Sequence, residues 1–179
     1  MNLKEAIITF YSQNKERKAG RYWASDIYSI RKGYLTAHNF FKPKKLNELS
    51  QFQIFWGQAG ECWLREILGK LHIKSGRQKE VLKINDWELS AECDFDCGGY
   101  IIEAKTPKDP DCDKTKWLDQ LEAYHRIFKK PVKLVVLNRF DPPLYRVYDY
   151  QPSEGRWLEI QKLLDNFNGE LKRNNWKTH

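Results

Sequence analysis

Between Asn47 and Leu71 there is no proline, and apolar residues recur at Phe52, Trp56, Ala59, Trp63 and Ile67. That spacing predicts one helix of about 24 residues, the longest pattern in the chain. Residues 3–17 show the same period through Leu3, Ala6, Ile7, Phe10 and Tyr11. Ser25-Asp26 offers an N-cap to a short helix carrying Ile27, Tyr28 and Ile30. The period then changes to two. Lys79 to Ile84 and Glu88 to Asp96 read as extended runs joined at Asn85-Asp86, followed by a third from Tyr100 to Thr106. Helical spacing returns over residues 115–128 in Trp117, Leu121, Tyr124 and Phe128, and Pro131 ends it. Val132 to Leu137 suits a buried strand, LYRVYDY predicts another, and residues 156–172 close as an amphipathic helix before the basic tail RNNWKTH. From residue 47 onward the predicted order is α-β-β-β-α-β.

The stretch from Glu88 to Lys108 concentrates the chemistry. Gly98-Gly99 favours a two-residue turn, because such turns need positive φ. Counting outward sets Asp96 opposite Ile101, Phe95 opposite Ile102, Asp94 opposite Glu103, Cys93 opposite Ala104 and Glu92 opposite Lys105. Alternation then puts Phe95, Ile102, Cys93 and Ala104 on an apolar face, and Asp94, Glu103, Glu92 and Lys105 on a charged one. Opposed Cβ atoms lie roughly 4.5 to 5.5 Å apart, and like charges there destabilise a sheet. A Mg2+ or Mn2+ ion between Asp94 and Glu103 would reconcile them; a solvated hairpin face is the alternative. A longer turn would shift the register and substitute Asp96 for Asp94. On the long helix, Glu61 lies away from the tryptophan stripe, beside Ile54, Gly57, Leu64 and Leu68. A carboxylate there is expensive unless it is paired or metal-bound.

Composition adds the partner. At 179 residues, 41% hydrophobic and 31% charged, the chain suits one folded domain and excludes a disordered one. No apolar run approaches the roughly 18 residues of a membrane span, and the N-terminus lacks a signal peptide's apolar core, so an intracellular protein is expected. The net charge of +7 predicts a basic surface and a polyanionic partner such as nucleic acid. The segment RKGYLTAHNFFKPKK interleaves cations with Tyr34, Phe40 and Phe41, which suits single-strand binding, or aromatics tucked under the domain. Cys62, Cys93, Cys97 and Cys112 are too few and irregular for a disulfide framework, and Cys93 and Cys97 read as small apolar residues on the hairpin's apolar face.

Asp94 followed by Glu103-Ala104-Lys105 resembles the D...(D/E)-x-K signature of the PD-(D/E)XK nuclease superfamily, with Cys93 where that pattern has proline. The order of elements is the superfamily's as well. Gly57-x-x-x-Glu61 and Gln120-x-x-x-Tyr124 are similar to motifs of its RecB-like exonuclease branch, which includes CRISPR-associated exonucleases and, more distantly, lambda exonuclease. The resemblance covers roughly residues 47–138.

It implies an α/β (α+β) fold with a restriction-endonuclease-like core, a central mixed sheet flanked by helices, plus N-terminal helices and a C-terminal strand and helix. One nuclease domain is implied: residues 1–46 as a helical and basic part, 47–138 as catalytic core and 139–179 as the C-terminal addition. Glu61, Asp94, Glu103 and the backbone carbonyl of Ala104 are implied to hold one or two Mg2+ or Mn2+ ions. Lys105 would orient a water or stabilise the transition state, with Gln120 and Tyr124 beside it. No iron–sulfur cluster is implied, because no cysteine follows Cys112. The implied activity is metal-dependent DNA exonuclease, at ends or on single strands, in repair, recombination, viral replication or CRISPR-type processes. An endonuclease on the same core, a restriction enzyme or junction resolvase, and a DNA-binding module without catalysis are the alternatives.

Overall fold

The computed structural model describes residues 17–41, 48–109, 111–138 and 145–173, without the side chains of residues 48–52. Apart from Arg17 and Arg173, the expected N-terminal helix and the basic tail lie outside the described residues. The chain enters through a short strand β1 (Arg21–Trp23), a 3-10 turn (Ala24–Asp26) and α1 (Ile27–Arg31). Asp26 does not cap α1 with its side chain; its carboxylate pairs instead with Arg17 at 2.9 Å. Then come α2 (Glu48–Lys70), β2 (Gly76–Ile84), β3 (Trp87–Asp96), β4 (Ile101–Lys105), α3 (Thr115–Phe128), β5 (Val132–Leu137), β6 (Tyr145–Asp149) and α4 (Glu154–Arg173). The α-β-β-β-α-β order is present. Among the described residues, no helix is long and apolar enough to cross a membrane.

One six-stranded mixed sheet organises these elements. β2 pairs antiparallel with β3 along one edge, from Ile84 opposite Trp87 to Gly76 opposite Asp96. The other edge of β3 is shared: β1 pairs parallel at Glu88–Ser90, and β4 antiparallel only at Phe95 and Asp96. β4 then runs parallel to β5, and β5 antiparallel to β6. The two-glycine hairpin has the expected register at Phe95 opposite Ile102 and Asp96 opposite Ile101, but the ladder stops there, and the expected Asp94–Glu103, Cys93–Ala104 and Glu92–Lys105 pairs do not form. Gly98 takes φ +79°, and the Cys97 N–H donates to the Tyr100 carbonyl at 2.9 Å.

The alternation along β3 is broken by a β-bulge. Gly76 and Gln78 are two apart on β2, while their partners Asp96 and Cys93 are three apart on β3. One extra residue on β3 turns the following side chains to the opposite face. Cys93 therefore packs with Leu89, Ala91 and Ile101 in the core beneath α3 and α4, whereas Phe95 packs with Ile102, Leu64 and Leu68 beneath α2. This corrects the expectation of one apolar and one charged hairpin face. Both faces are covered, Cys93 and Cys97 sit on different ones, and Ile101, on the supposed charged face, is fully buried.

The long helix also presents a different face than its periodicity suggests. Leu64 and Leu68 meet the core, while Trp63 and Phe55 remain exposed. Of the aromatics in the basic segment, Phe40 is buried 5.5 Å from the Phe167 ring, and Tyr34 is 69% exposed. Buried acids on α3 tie down its neighbours: Asp119 pairs with Arg31 and Arg156, and Glu122 accepts from Arg126, the Tyr150 hydroxyl and the Ser153 N–H.

Close approach of α2 to the sheet falls on Gly60. A Cβ there would stand 2.6 Å from Leu137 Cδ1 and 2.7 Å from Thr106 Cγ2, whereas one at Gly57 would meet only Thr106 Oγ1, at 3.9 Å. Overpacking costs about 1–3 kcal/mol, and alanine returns about 1 kcal/mol of helix propensity. Gly60→Ala should therefore destabilise by up to about 2 kcal/mol, and Gly57→Ala should be neutral or stabilising by up to about 1 kcal/mol. Urea denaturation of both variants checks this, and equal shifts would mean that α2 does not lie against Leu137.

Candidate active site

The site forms where β3 lacks a strand partner. Between the residues paired to β1 and those paired to β4, Ala91 to Asp94 have no neighbouring strand on that edge among the described residues. Backbone groups left there need other partners. The Glu92 carbonyl accepts from the Tyr124 hydroxyl at 2.7 Å. Asp94 Oδ2 accepts from the Ala104 N–H at 2.8 Å, so this carboxylate takes over the ladder beyond Ile102.

Alternation along β4 sends Glu103 and Lys105 towards α3, where Gln120 and Tyr124, four residues apart, share a face. Glu103 is only 3% exposed. Its Oε1 accepts from Lys105 Nζ and, at 3.0 Å, from Gln120 Nε2. Gln120 returns its Oε1 to Lys105 Nζ at 3.1 Å and donates through Nε2 to the Tyr124 oxygen at 2.8 Å. Tyr124 is thus both a core residue, edge-on to Phe128 at 5.8 Å, and the link between the site and β3.

Asp96 is held apart from this group. Lys130 Nζ reaches both its oxygens at 2.7 Å, and the Gly98 N–H donates to it at 2.9 Å. Burial raises the Asp96 pKa, but Lys130 and Gly98 outweigh it and hold the carboxyl below its ordinary value. Glu61, partly buried on α2, is held by Arg77, which also approaches Glu92 at 3.4 Å. Arg77 is the residue that the sequence pattern missed, because the expected strand began at Lys79. Counting the Asn85-Asp86 hairpin outward from Ile84 and Trp87 would have set Arg77 opposite Asp94, at the bulge.

The three carboxylates act on one another. Burial, then Glu103 and Glu61, push Asp94 up to about 8, against the Ala104 hydrogen bond and Lys105. Burial alone would lower Lys105, but Glu103, Asp94 and Glu61 raise it, so the ammonium keeps its proton. The hydrogen bond to Glu61 raises Arg77 in turn.

Among the described residues, no three His, Cys, Asp or Glu side chains converge as a metal cluster. Lys105 and Arg77 instead answer two of the three acids. The donor set nonetheless fits a hard divalent cation. Among the described residues, Glu103 Oε2 is buried with no hydrogen-bond partner, and a cation beside Asp94 would relieve the repulsion that raises it.

A raised carboxyl pKa carries a definite sign. Folded Asp94 keeps a proton that the unfolded chain releases near the ordinary value of 3.8. Stability of the ion-free protein should therefore fall as pH rises from about 4 to about 8, and level off above. Asp94→Asn should match wild type near pH 4 and exceed it by on the order of a few kcal/mol near pH 9. Denaturant melts in chelator at both pH values check this; a pH-independent difference would leave the acids uncoupled.

No family model matches this sequence, and no curated protein does. Solved structures do. The alkaline exonuclease LHK-Exo from Laribacter hongkongensis superposes with a TM-score of 0.67 at 14% identity, covering 95% of this chain and 93% of that one. A complex of LHK-Exo with dAMP gives 0.59 at 15%, covering 87% and 90%. The structure described as SSO0001 gives 0.64 at 16%, covering 96% and 87%. In its mixed sheet and flanking helices, the chain shares the fold of these structures.

Proposed function

We propose that this chain is a divalent-metal-dependent DNA nuclease, an exonuclease of the RecB-like kind, hydrolysing phosphodiester bonds at ends or on single strands. The observation that carries the proposal is the buried cluster of Glu103, Lys105 and Gln120 beside Asp94, with one Glu103 oxygen unpartnered among the described residues. Structural uses of buried charge satisfy their acceptors, as Glu122 does on the far side of α3. Support for DNA comes from the +7 charge and from the dAMP bound in the similarly folded LHK-Exo.

Glu61, Asp94, Glu103 and the carbonyl of Ala104 would hold Mg2+ or Mn2+, which would lower the pKa of a bound water and offset charge on the phosphate. The protein's own groups do the rest. Lys105 remains protonated and presents its charge where negative charge builds on the phosphoryl oxygens. Gln120 fixes the positions of the Lys105 Nζ and Glu103 Oε1 together, and Tyr124 fixes Gln120 by anchoring it to β3. The Gln120-x-x-x-Tyr124 pair favours the exonuclease reading over an endonuclease on the same core.

End-labelled single- and double-stranded DNA and closed circular DNA, incubated with Mg2+, Mn2+ or chelator, test the proposal. Linear DNA should be degraded with metal while closed circles survive; cleavage of closed circles would select the endonuclease, and no cleavage with any ion would remove the enzyme. Lys105→Ala should lower the rate by about 10²- to 10³-fold, the usual cost of one transition-state donor. Binding of the same DNA in Ca2+ should change little, and a melting curve separates this from loss of folding. Wild-type cleavage by that variant would exclude Lys105 from the chemistry.

A further inference from the structure

The apolar stripe that dominates α2 in the sequence is not spent on the core. Trp56 and Trp63 instead wall a cavity of about 270 Å3, whose other boundaries include Gly60, Thr106, Leu137 and Asn138. Thr106 follows Lys105 directly, and Leu137-Asn138 closes β5. β4 and β5 are parallel, so the cavity opens at the carboxyl ends of two parallel strands, the usual ligand position in such sheets. Gly60 sets its depth, since any Cβ there would meet Leu137 and Thr106. Trp63 is still 39% exposed, with its ring 6.1 Å from the Tyr145 ring of β6.

We infer that this cavity holds one unpaired nucleobase of a single-stranded DNA substrate, stacked on the α2 tryptophans. The inference rests on the nuclease reading of the adjoining acidic site and names the substrate form that site takes. The cavity is slightly smaller than pockets for drug-sized ligands, which start at about 300 Å3, so it suits a single heterocycle and not a duplex. Its lining includes the Trp56 and Trp63 side chains, and an aromatic ring offers a stacking surface that any base can use. The chain's net positive charge supplies the attraction for the phosphates on either side of the base.

The test is anisotropy of labelled single-stranded oligonucleotides on the full chain in Ca2+, each strand carrying one abasic site at a different position. For wild type, an abasic site at one position should weaken binding by about tenfold, the usual worth of one stacked base. In Trp63→Ala and Trp56→Ala the intact strand should bind about tenfold more weakly, and the abasic site should no longer matter. Trp63→Phe should restore the dependence. Two results would overturn the inference: no position at which the missing base matters, or tryptophan variants that weaken intact and abasic strands equally, as a purely structural Trp63–Tyr145 contact would. Cleavage of linear DNA without abasic dependence removes the base site and keeps the nuclease. Abasic dependence without cleavage does the reverse.

Discussion

Everything around the site follows from how β3 divides one of its edges. β1 takes that edge at Glu88–Ser90 and β4 takes it at Phe95–Asp96, so the backbone between them must find partners elsewhere. Tyr124 supplies one and the Asp94 carboxylate another, across to Ala104. The acid is therefore held in place by filling a gap in the sheet. The bulge opposite Arg77 completes the arrangement, because it lets Phe95 serve the core under α2 while Cys93 serves the core under α3.

Charge is the second constraint. Glu103 in the interior would be costly alone, and Lys105 and Gln120 both converge on its Oε1. Arg77 does the same for Glu61 from the edge strand. Asp94 has a backbone N–H but, among the described residues, no ion-pair partner, and burial with Glu103 and Glu61 raises its pKa. The uneven distribution of partners, more than the number of acids, distinguishes this cluster from the fully answered Asp119 and Glu122 pairs that tie α3 to α1 and α4.

Helix α2 divides three kinds of contact between two sides. Leu64 and Leu68 close the core, Glu61 turns to the acids, and Trp56 and Trp63 wall the cavity. Periodicity ranks apolar residues by size and spacing, so the tryptophan stripe looked like the buried face. Which stripe is buried depends on where the sheet lies, and Gly60 brings the leucine side against it.

The local code was enough for the elements apart from β1, for the order that runs from α2 to β5, and for the Phe95–Ile102 register, because helical period, glycine turns and proline stops act over a few residues. Motif spacing likewise brought Glu103, Lys105, Gln120 and Tyr124 together, since positions two apart on a strand and four apart on a helix share a face. Only the tertiary structure could decide that Asp94 meets the Ala104 N–H, that Asp96 belongs to Lys130, and that Arg77 joins the site. Those contacts depend on a bulge and a divided strand edge. Both arise from pairing between segments distant in the chain, which alternation along any one segment does not encode.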